Sequence, residues 1–303
     1  MSLDSNPVAQ RTCGSMIVYQ AMLETVPGFR QQQLEVHEFS QRIANRSVET
    51  RAGVITIPTV IHVVYENATE NISDVQVQSQ MNVINADFRA RNTDIGKVPA
   101  AWKALAADAE IEFVLASADP QGNPTTGITR TKTSVSGFKQ PGNPVKFSAS
   151  GGVDSWDTSK YLNIWVCNLL DGLLGYAQFP GGPATTDGVV ILHSAFGIVG
   201  TAAAPYNLGR STTHEVGHFL NLFHIWGDTQ NCGGTDYVSD TPNAQLPNFG
   251  KPAFPHISCG NGPDGDMFMN YMDYVDDDTM FMFTVGQVQR MRATLTGIRS
   301  GLG

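Results

Sequence analysis

The sequence predicts an α/β (α+β) fold with a mixed sheet, because apolar runs rich in β-branched residues alternate with segments of helical periodicity. Residues 54–65 show the first pattern most strongly and predict a buried strand. Residues 74–91 carry apolar side chains every three or four positions and predict an amphipathic helix. Further strands are predicted at residues 111–118, 128–132, 161–169 and 188–192.

Helices are also predicted near both ends of the chain. Residues 16–43 are polar and Gln-rich, and Pro27-Gly28 breaks this otherwise helical stretch. Two later helices are predicted at residues 207–223 and 284–299, the second from its apolar stripe.

Two stretches lack a regular pattern. The Gly-, Pro- and Ser-rich residues 136–152 predict a long surface loop, and residues 227–266 predict an irregular lobe. The four cysteines, which allow three full pairings, are Cys13, Cys167, Cys232 and Cys259. Cys232 and Cys259 flank the irregular lobe, and we favour a bridge between them. It would close a loop of about 26 residues and contribute on the order of 3 kcal/mol.

Composition excludes some functions and permits others. The chain has 303 residues, a hydrophobic content of 41% and a net charge of −9. This charge disfavours nucleic acid and anionic membranes as partners, and no run approaches a membrane span. Low Lys and Arg content suits an extracellular protein. No signal peptide is visible, so we expect a secreted protein whose signal is absent from this sequence.

The run from His214 to His224 predicts a catalytic metal site. His214 and His218 lie four residues apart, so a helix would place them on one face, one turn apart. Glu215 lies where a general base is needed, and His224 supplies a third nitrogen ligand. An ordinary amphipathic helix is the alternative interpretation. A structural zinc site would normally close with Cys or a fourth His, whereas this run leaves one position open.

Asn221 explains how His224 reaches the same ion. A continuing helix would carry His224 about 9 Å beyond His218, at a rise of about 1.5 Å per residue. Asn is the residue other than Gly that best tolerates the left-handed conformation. We therefore predict that Asn221 ends the helix and turns the chain back.

This run resembles the extended zinc signature of the metzincin metalloproteases, and its surroundings are similar to the pappalysin family of that clan. Metzincins usually carry Gly where this chain has Asn221. Supporting runs are 174–180 (LGYAQFP), 209–213 (GRSTT), 224–228 (HIWGD) and 269–274 (MNYMDY).

The resemblance implies a fold and a division of the chain. A metzincin catalytic domain has a twisted, mixed, five-stranded sheet with a backing helix, an active-site helix and an irregular C-terminal subdomain. Residues 52–303 would form this domain, divided into subdomains at residues 52–224 and 225–303. Residues 1–51 would be a helical pro-segment.

The resemblance also implies roles for individual residues. Zinc held by three histidines would activate a water molecule, with Glu215 as general base and then general acid. Met272 would lie beneath the metal, and Tyr274 would hydrogen-bond the oxyanion; a purely structural tyrosine is the alternative. Peptide substrate would add as a strand to the sheet edge at Gly175, Tyr176 and Ala177.

Two acidic segments carry further predictions. Asp277 follows the Met272 turn, and the family resemblance implies that it selects Arg or Lys after the cut. A solvated acidic loop or a calcium site is the alternative. Residues 234–241 offer carboxylates, and similarity to pappalysins implies a calcium site at Asp236 and Asp240.

Cys13 precedes the expected catalytic domain and resembles the inhibitory cysteine of metzincin zymogens. Its thiolate would fill the open zinc position; a disulfide to Cys167 or a free thiol are the alternatives. Arg51 marks a natural activation point, and cleavage between Thr50 and Arg51 would be autolytic if Arg is preferred after the cut. No new N-terminus near residue 51 after incubation would contradict this.

The sequence therefore predicts a secreted zinc endopeptidase that acts on proteins or peptides, with Zn²⁺ and Ca²⁺ as cofactors. The alternative is a catalytically silent, zinc-containing module that binds peptides or proteins. The presence of Glu215 argues against the silent module.

Overall fold

The computed structural model describes residues 10–45 and 51–303. The predicted cleavage point at Thr50 thus lies outside the described residues. The α-helices are α1 (Ser15–Thr25), α2 (Phe29–Ala44), α3 (Asp74–Phe88), α4 (Arg210–Phe219) and α5 (Val285–Thr296). The strands are β1 (Ile55–Tyr65), β2 (Ile111–Leu115), β3 (Ile128–Lys132), β4 (Leu162–Cys167), β5 (Gly175–Ala177), β6 (Val189–Leu192), β7 (Phe249–Gly250) and β8 (Tyr274–Val275).

The main sheet is mixed and follows the order β2-β1-β4-β6-β5. All neighbours along this path are parallel except β5, which runs antiparallel to β6 at one edge. The sixth strand, β3, pairs with the second half of β1, while β2 pairs with the first half. Six strands therefore occupy the five positions that the family resemblance implies, because β1 is long enough to accommodate two short neighbours.

Both faces of the sheet are buried, as the apolar strand sequences predict. Along β4, Ile164 and Val166 enter one hydrophobic core, whereas Trp165 and Cys167 enter the other. This alternation follows from the two-residue period of a strand. Helices α3 and α4 and the C-terminal segments complete the first core, so α3 is the backing helix and α4 the helix that lies nearest the sheet edge.

Residues 136–152 correct one prediction. Most of this stretch is a loop, but Val145 and Lys146 are completely buried. The Lys146 ammonium group donates to the Thr186 carbonyl at 2.6 Å and lies 5.1 Å from the centre of the Trp165 ring. Burial lowers the pKa of Lys146 to about 7. Part of the loop therefore belongs to the core, because the distant Thr186 carbonyl and Trp165 ring contact the Lys146 ammonium group.

The N-terminal residues pack closely against the rest of the chain. Helix α2 lies on α5, and α1 lies beside β5. Arg51, at the predicted boundary, donates to the carbonyls of Leu302 and Gly303 at 2.8 and 2.6 Å. The division of the chain at residue 51 stays a prediction, but Arg51 itself is held by the C-terminal end of the chain.

The irregular C-terminal part is stabilised by local bonds. Cys232 and Cys259 form a disulfide, the pairing that the sequence favoured, while Cys13 and Cys167 are free and buried. No helix in the described part of the chain has the length and apolar character needed to cross a membrane.

Candidate active site

Helix α4 ends at Phe219, and Asn221 turns the chain back. Asn221 has φ = 77°, the left-handed conformation that the sequence predicts at this position. The Leu222 amide then donates to the Gly217 carbonyl at 2.9 Å, which folds the chain against the last helical turn. Arg290 on α5 fixes this turn, since its Nε donates to the Asn221 carbonyl at 2.6 Å. The helix therefore ends just before Asn221, as this residue predicts, and four residues before the end of the range 207–223.

The turn brings three imidazole rings together. Nε2 of His218 lies 3.2 Å from Nε2 of His214 and 3.1 Å from Nε2 of His224. Each opposite nitrogen, Nδ1, has its own acceptor. These are the Tyr271 carbonyl for His214 at 2.7 Å, the Leu222 carbonyl for His218 at 2.7 Å and the Asp228 carboxylate for His224 at 2.6 Å.

This arrangement fits a zinc ion. If each Nδ1 carries the proton that it donates, three Nε2 lone pairs face one another at the centre. Two nitrogens bound to a tetrahedral zinc at about 2.0–2.1 Å would be about 3.3 Å apart, close to the distances found here. Burial lowers the pKa of both His214 and His218 well below the ordinary value, so both imidazoles are neutral and can coordinate a metal.

Cys13 faces the same centre. Its Sγ and the ligand atoms of the three histidines all lie within 4.8 Å of one another, and all four residues are buried. Burial, and secondarily the charge of Glu215, raise the pKa of the Cys13 thiol well above its ordinary value. A bound cation acts in the opposite direction and favours the thiolate. The set of three imidazoles and one thiol is a donor set typical of zinc.

Glu215 lies beside this centre and contacts the N-terminal segment. Its Oε2 accepts a hydrogen bond from the Ser15 hydroxyl at 2.7 Å, and the Cys13 Sγ lies 3.2 Å away. Burial raises the pKa of Glu215 to about 7, against the lowering effect of these hydrogen bonds. A carboxyl group with a pKa near neutrality is suited to both accept and release a proton.

The sheet edge carries the N-terminal segment as an added strand. The Gly14 amide donates to the Gly175 carbonyl at 2.9 Å, and the Leu174 amide donates to the Thr12 carbonyl at 3.0 Å. The Ala177 amide donates to the Ser15 hydroxyl at 2.7 Å. Gly175 is required here, because a Cβ atom would lie 2.9 Å from Cγ of Glu215. The side chain of Tyr176 is buried in the second core, so only its backbone faces this edge.

Asp277 forms a pocket for a guanidinium group. Arg11 donates to the Asp277 carboxylate at 2.5 Å, to the Ser211 hydroxyl at 3.1 Å and to the Val275 carbonyl at 3.2 Å. The Arg11 guanidinium also lies 4.9 Å from the centre of the Tyr206 ring. Both partners of the ion pair are almost fully buried, so the pocket desolvates the guanidinium and replaces its water with acceptors.

Met272 lies beneath α4, and Tyr274 lies beside the histidine cluster. Met272 is fully buried beneath α4, since a Cβ atom at Gly217 would lie 2.5 Å from the Met272 sulfur. The Tyr274 ring centre lies 4.9 Å from that of His224 and 5.7 Å from that of His214. Its phenol is therefore beside the histidine cluster.

The predicted calcium residues have other partners. The Asp236 carboxylate accepts from the Thr241 hydroxyl at 2.7 Å and the Val238 amide at 3.1 Å. Asp240 accepts from the Thr284 hydroxyl and the Gly286 amide, at the start of α5. The histidine and cysteine cluster is the one group of three or more potential metal ligands found within residues 10–45 and 51–303.

Sequence reasoning missed three residues of this site. Arg11 and Ser15 each lie two residues from Cys13, and this spacing is the signal that could have identified them. Asp228 follows His224 by four residues, and an acidic residue is a common partner of a metal-binding histidine.

Comparisons with known proteins agree with this geometry. The family model described as pregnancy-associated plasma protein-A matches residues 150–296. An extracellular metalloprotease of Arthroderma benhamiae is 31% identical over 261 residues, which cover 84% of this chain and 82% of that protein.

Solved structures extend the likeness. Mature mirolysin of Tannerella forsythia, in complex with a cleaved peptide, is 53% identical with a TM-score of 0.81 and covers 83% of this chain and 96% of its own. A promirolysin mutant of the same organism is 49% identical with a TM-score of 0.88 and covers 96% of both chains. From the fold, the histidine cluster and these relatives, the chain belongs to the pappalysin family of metzincin metalloendopeptidases.

Proposed function

We propose that this chain is the latent form of a zinc endopeptidase, with His214, His218 and His224 as the zinc ligands. The convergence of three Nε2 atoms, each opposed by an anchored Nδ1, is the observation that carries this proposal. Zinc, when bound, polarises a peptide carbonyl and makes a water molecule acidic enough to attack it.

The chain's own residues would move the proton. Glu215 accepts it from the attacking water and delivers it to the leaving amine, which its pKa of about 7 permits. The backbone of Gly175, Tyr176 and Ala177 would hold the peptide as an antiparallel strand, in the place now taken by the N-terminal segment. Met272 supports the histidine cluster from below.

Tyr274 would donate its hydroxyl to the developing oxyanion, because its ring lies beside His224. We expect Tyr274→Phe in the processed enzyme to lower kcat about 10²-fold, with KM nearly unchanged, since one transition-state hydrogen bond is lost. Steady-state kinetics with a quenched peptide measure both constants. An unchanged kcat would show that Tyr274 is only structural.

Latency would come from residues 1–51 acting as a pro-segment. Its described part places Cys13 against the histidines, Ser15 on Glu215 and Arg11 in the Asp277 pocket. The likeness supports this division, since promirolysin covers 96% of this chain and mature mirolysin 83%. Relatives named extracellular metalloproteases support secretion of this protein.

The Asp277 pocket would select Arg or Lys after the cut, as Arg11 shows the fit of a guanidinium to it. We expect Asp277→Asn to lower kcat/KM for a peptide with Arg at that position by about 10- to 100-fold, because a charged hydrogen bond contributes about 1.5–3 kcal/mol. A peptide with Ala there should be cleaved equally by both enzymes. An equal loss for both peptides would refute a role in selectivity.

Metal removal tests both proposed cofactors. A zinc-selective chelator should abolish activity of the processed enzyme, and added Zn²⁺ should restore it. We also propose Ca²⁺ at Asp236 and Asp240, because the family resemblance implies a calcium site in residues 234–241, where these two carboxylates lie. A calcium chelator should lower Tm by roughly 5 °C, and Asp236→Asn should remove that response. An unchanged Tm would contradict the calcium site.

A further inference from the structure

Resting on the proposed endopeptidase function, we propose that Phe179, Phe223 and Tyr237 form a subsite for an aromatic side chain of the substrate. This side chain would lie before the cut, on the side of the metal centre opposite the Asp277 pocket. In the latent chain Tyr19 of the pro-segment fills the subsite. This aromatic subsite would be a second recognition element, of different chemistry from the Asp277 pocket.

The contacts of Tyr19 define the subsite. Its ring centre lies 4.9 Å from that of Phe179 and 5.5 Å from that of Phe223, the second contact edge to face. Phe179 and Phe223 are themselves 4.6 Å apart, and Phe223 meets Tyr237 edge to face at 5.3 Å. These are the separations that aromatic rings prefer. Two rings of the catalytic part thus contact the Tyr19 ring, and Tyr237 packs against one of them.

A fixed cation underlies this aromatic cluster. The Arg290 guanidinium lies 5.5 Å from the centre of the Phe223 ring and 5.4 Å from that of the Tyr237 ring. Its bonds to the Asn221 carbonyl and side chain tie it to the turn that positions His224. Arg290 also donates to His37 of the pro-segment at 3.3 Å, but its two bonds to Asn221 lie within the catalytic part and do not depend on the pro-segment.

The subsite is continuous with the cleft. The Phe179 ring centre lies 5.3 Å from that of His218, so the cluster borders the metal centre directly. Phe179 also follows Ala177 by two residues, which places it on the continuation of the edge strand. A peptide bound along that strand would pass this cluster.

The direction of the pro-segment indicates on which side of the metal centre the aromatic subsite lies. It runs parallel to β5, with Arg11 at the Asp277 pocket, Cys13 at the histidines and Tyr19 beyond them. Tyr19 therefore lies on the opposite side of the metal centre from the pocket for the residue after the cut. Tyr19 follows Cys13 by six residues. The two extended and four helical steps between them span at most about 13 Å, which is the length of three to four extended residues of a substrate. The subsite thus takes the second, third or fourth residue before the cut.

The test uses the full chain after proteolytic removal of its pro-segment. Quenched peptides carry Arg after the cut and Ala elsewhere, with Phe, Tyr, Leu or Ala placed at each of four positions before the cut. We expect Phe or Tyr to raise kcat/KM about 10-fold over Ala at the second, third or fourth position before the cut, and more than Leu does. Tyr237→Asn, which suits the left-handed backbone at that residue, and Phe223→Leu should each reduce this preference.

Phe254→Ala provides the matched control, because Phe254 is an exposed aromatic residue outside the cluster. It should leave the preference unchanged. Absence of an aromatic preference at the second, third and fourth positions, or its survival in both cluster variants, would overturn the subsite. If the all-Ala reference peptide is still cleaved in that case, the proposed endopeptidase function stands. If no peptide is cleaved, the proposed function itself fails.

Discussion

Replacing Glu215 by Gln should lower kcat of the processed enzyme by about 10³-fold, because the amide keeps the shape of the side chain but cannot accept a proton. The carboxyl group is buried and adjoins the histidine cluster through its contact with Cys13. Burial also raises its pKa to about 7, which suits transfer in both directions. Cleavage of a quenched peptide at saturating concentration measures the loss.

The controls separate chemistry from metal binding. Zinc content, determined by elemental analysis, should equal that of the unsubstituted enzyme, since Glu215 is not one of the four clustered ligands. Glu110→Gln changes a carboxylate exposed on the surface and should have no effect on kcat. Equal activity of Glu215→Gln and unsubstituted enzyme would eliminate the proposed mechanism.

The grouping of the three histidines and Glu215 could be predicted from the sequence because its information is local. His214, Glu215, His218 and His224 lie within eleven consecutive positions, so helical geometry alone places most of them. Asn221 supplies the remaining turn, and its φ of 77° agrees with the conformation expected of it. Local patterns of this kind also located most strands and helices.

The contacts of the N-terminal segment could not be predicted in this way. Arg11 and Asp277 are 266 residues apart, and Ser15 and Glu215 are 200 apart. No spacing rule relates such residues, since only the packed fold brings them together. The burial of Lys146 escaped prediction for the same reason, because its acceptor at Thr186 lies 40 residues away.

The order of the strands in the sheet could not be predicted from local sequence patterns either. The sequence indicates that β2 and β3 are strands, but both of them pair with β1, a choice made by long-range packing. The edge position of β5 is the exception. The family resemblance implies that Gly175–Ala177 lies at the sheet edge, and the structure has β5 there, antiparallel to β6.

If residues 1–51 are the pro-segment proposed above, Cys13→Ser should release much of the latency of the unprocessed chain. The Cys13 sulfur faces three histidine nitrogens, and a thiolate is a far better zinc ligand than a serine hydroxyl. We expect hydrolysis of a small quenched peptide by the intact chain to rise about 10²-fold. Release should remain incomplete, because Arg11 still fills the Asp277 pocket and Ser15 still bonds Glu215.

The intact state must be verified for this comparison to be decisive. N-terminal sequencing before and after the assay shows whether a new end has formed near residue 51. Cys167→Ser is the matched control, since Cys167 is also free and buried but lies in the second core. It should leave latency unchanged.

Arg11 and Ser15 could maintain latency even if the Cys13 thiol does not. If intact Cys13→Ser stays as inactive as the unsubstituted chain, yet is fully active once processed, the thiol is not the block. Arg11 and Ser15 would then maintain latency by occupying the Asp277 pocket and hydrogen-bonding Glu215.

A thiol reagent provides an independent measure of the state of Cys13. Because Cys13 is 8% exposed, it should react slowly until zinc is removed or the pro-segment is displaced. Rapid modification of Cys13 in the intact, zinc-loaded chain would contradict its role as a zinc ligand.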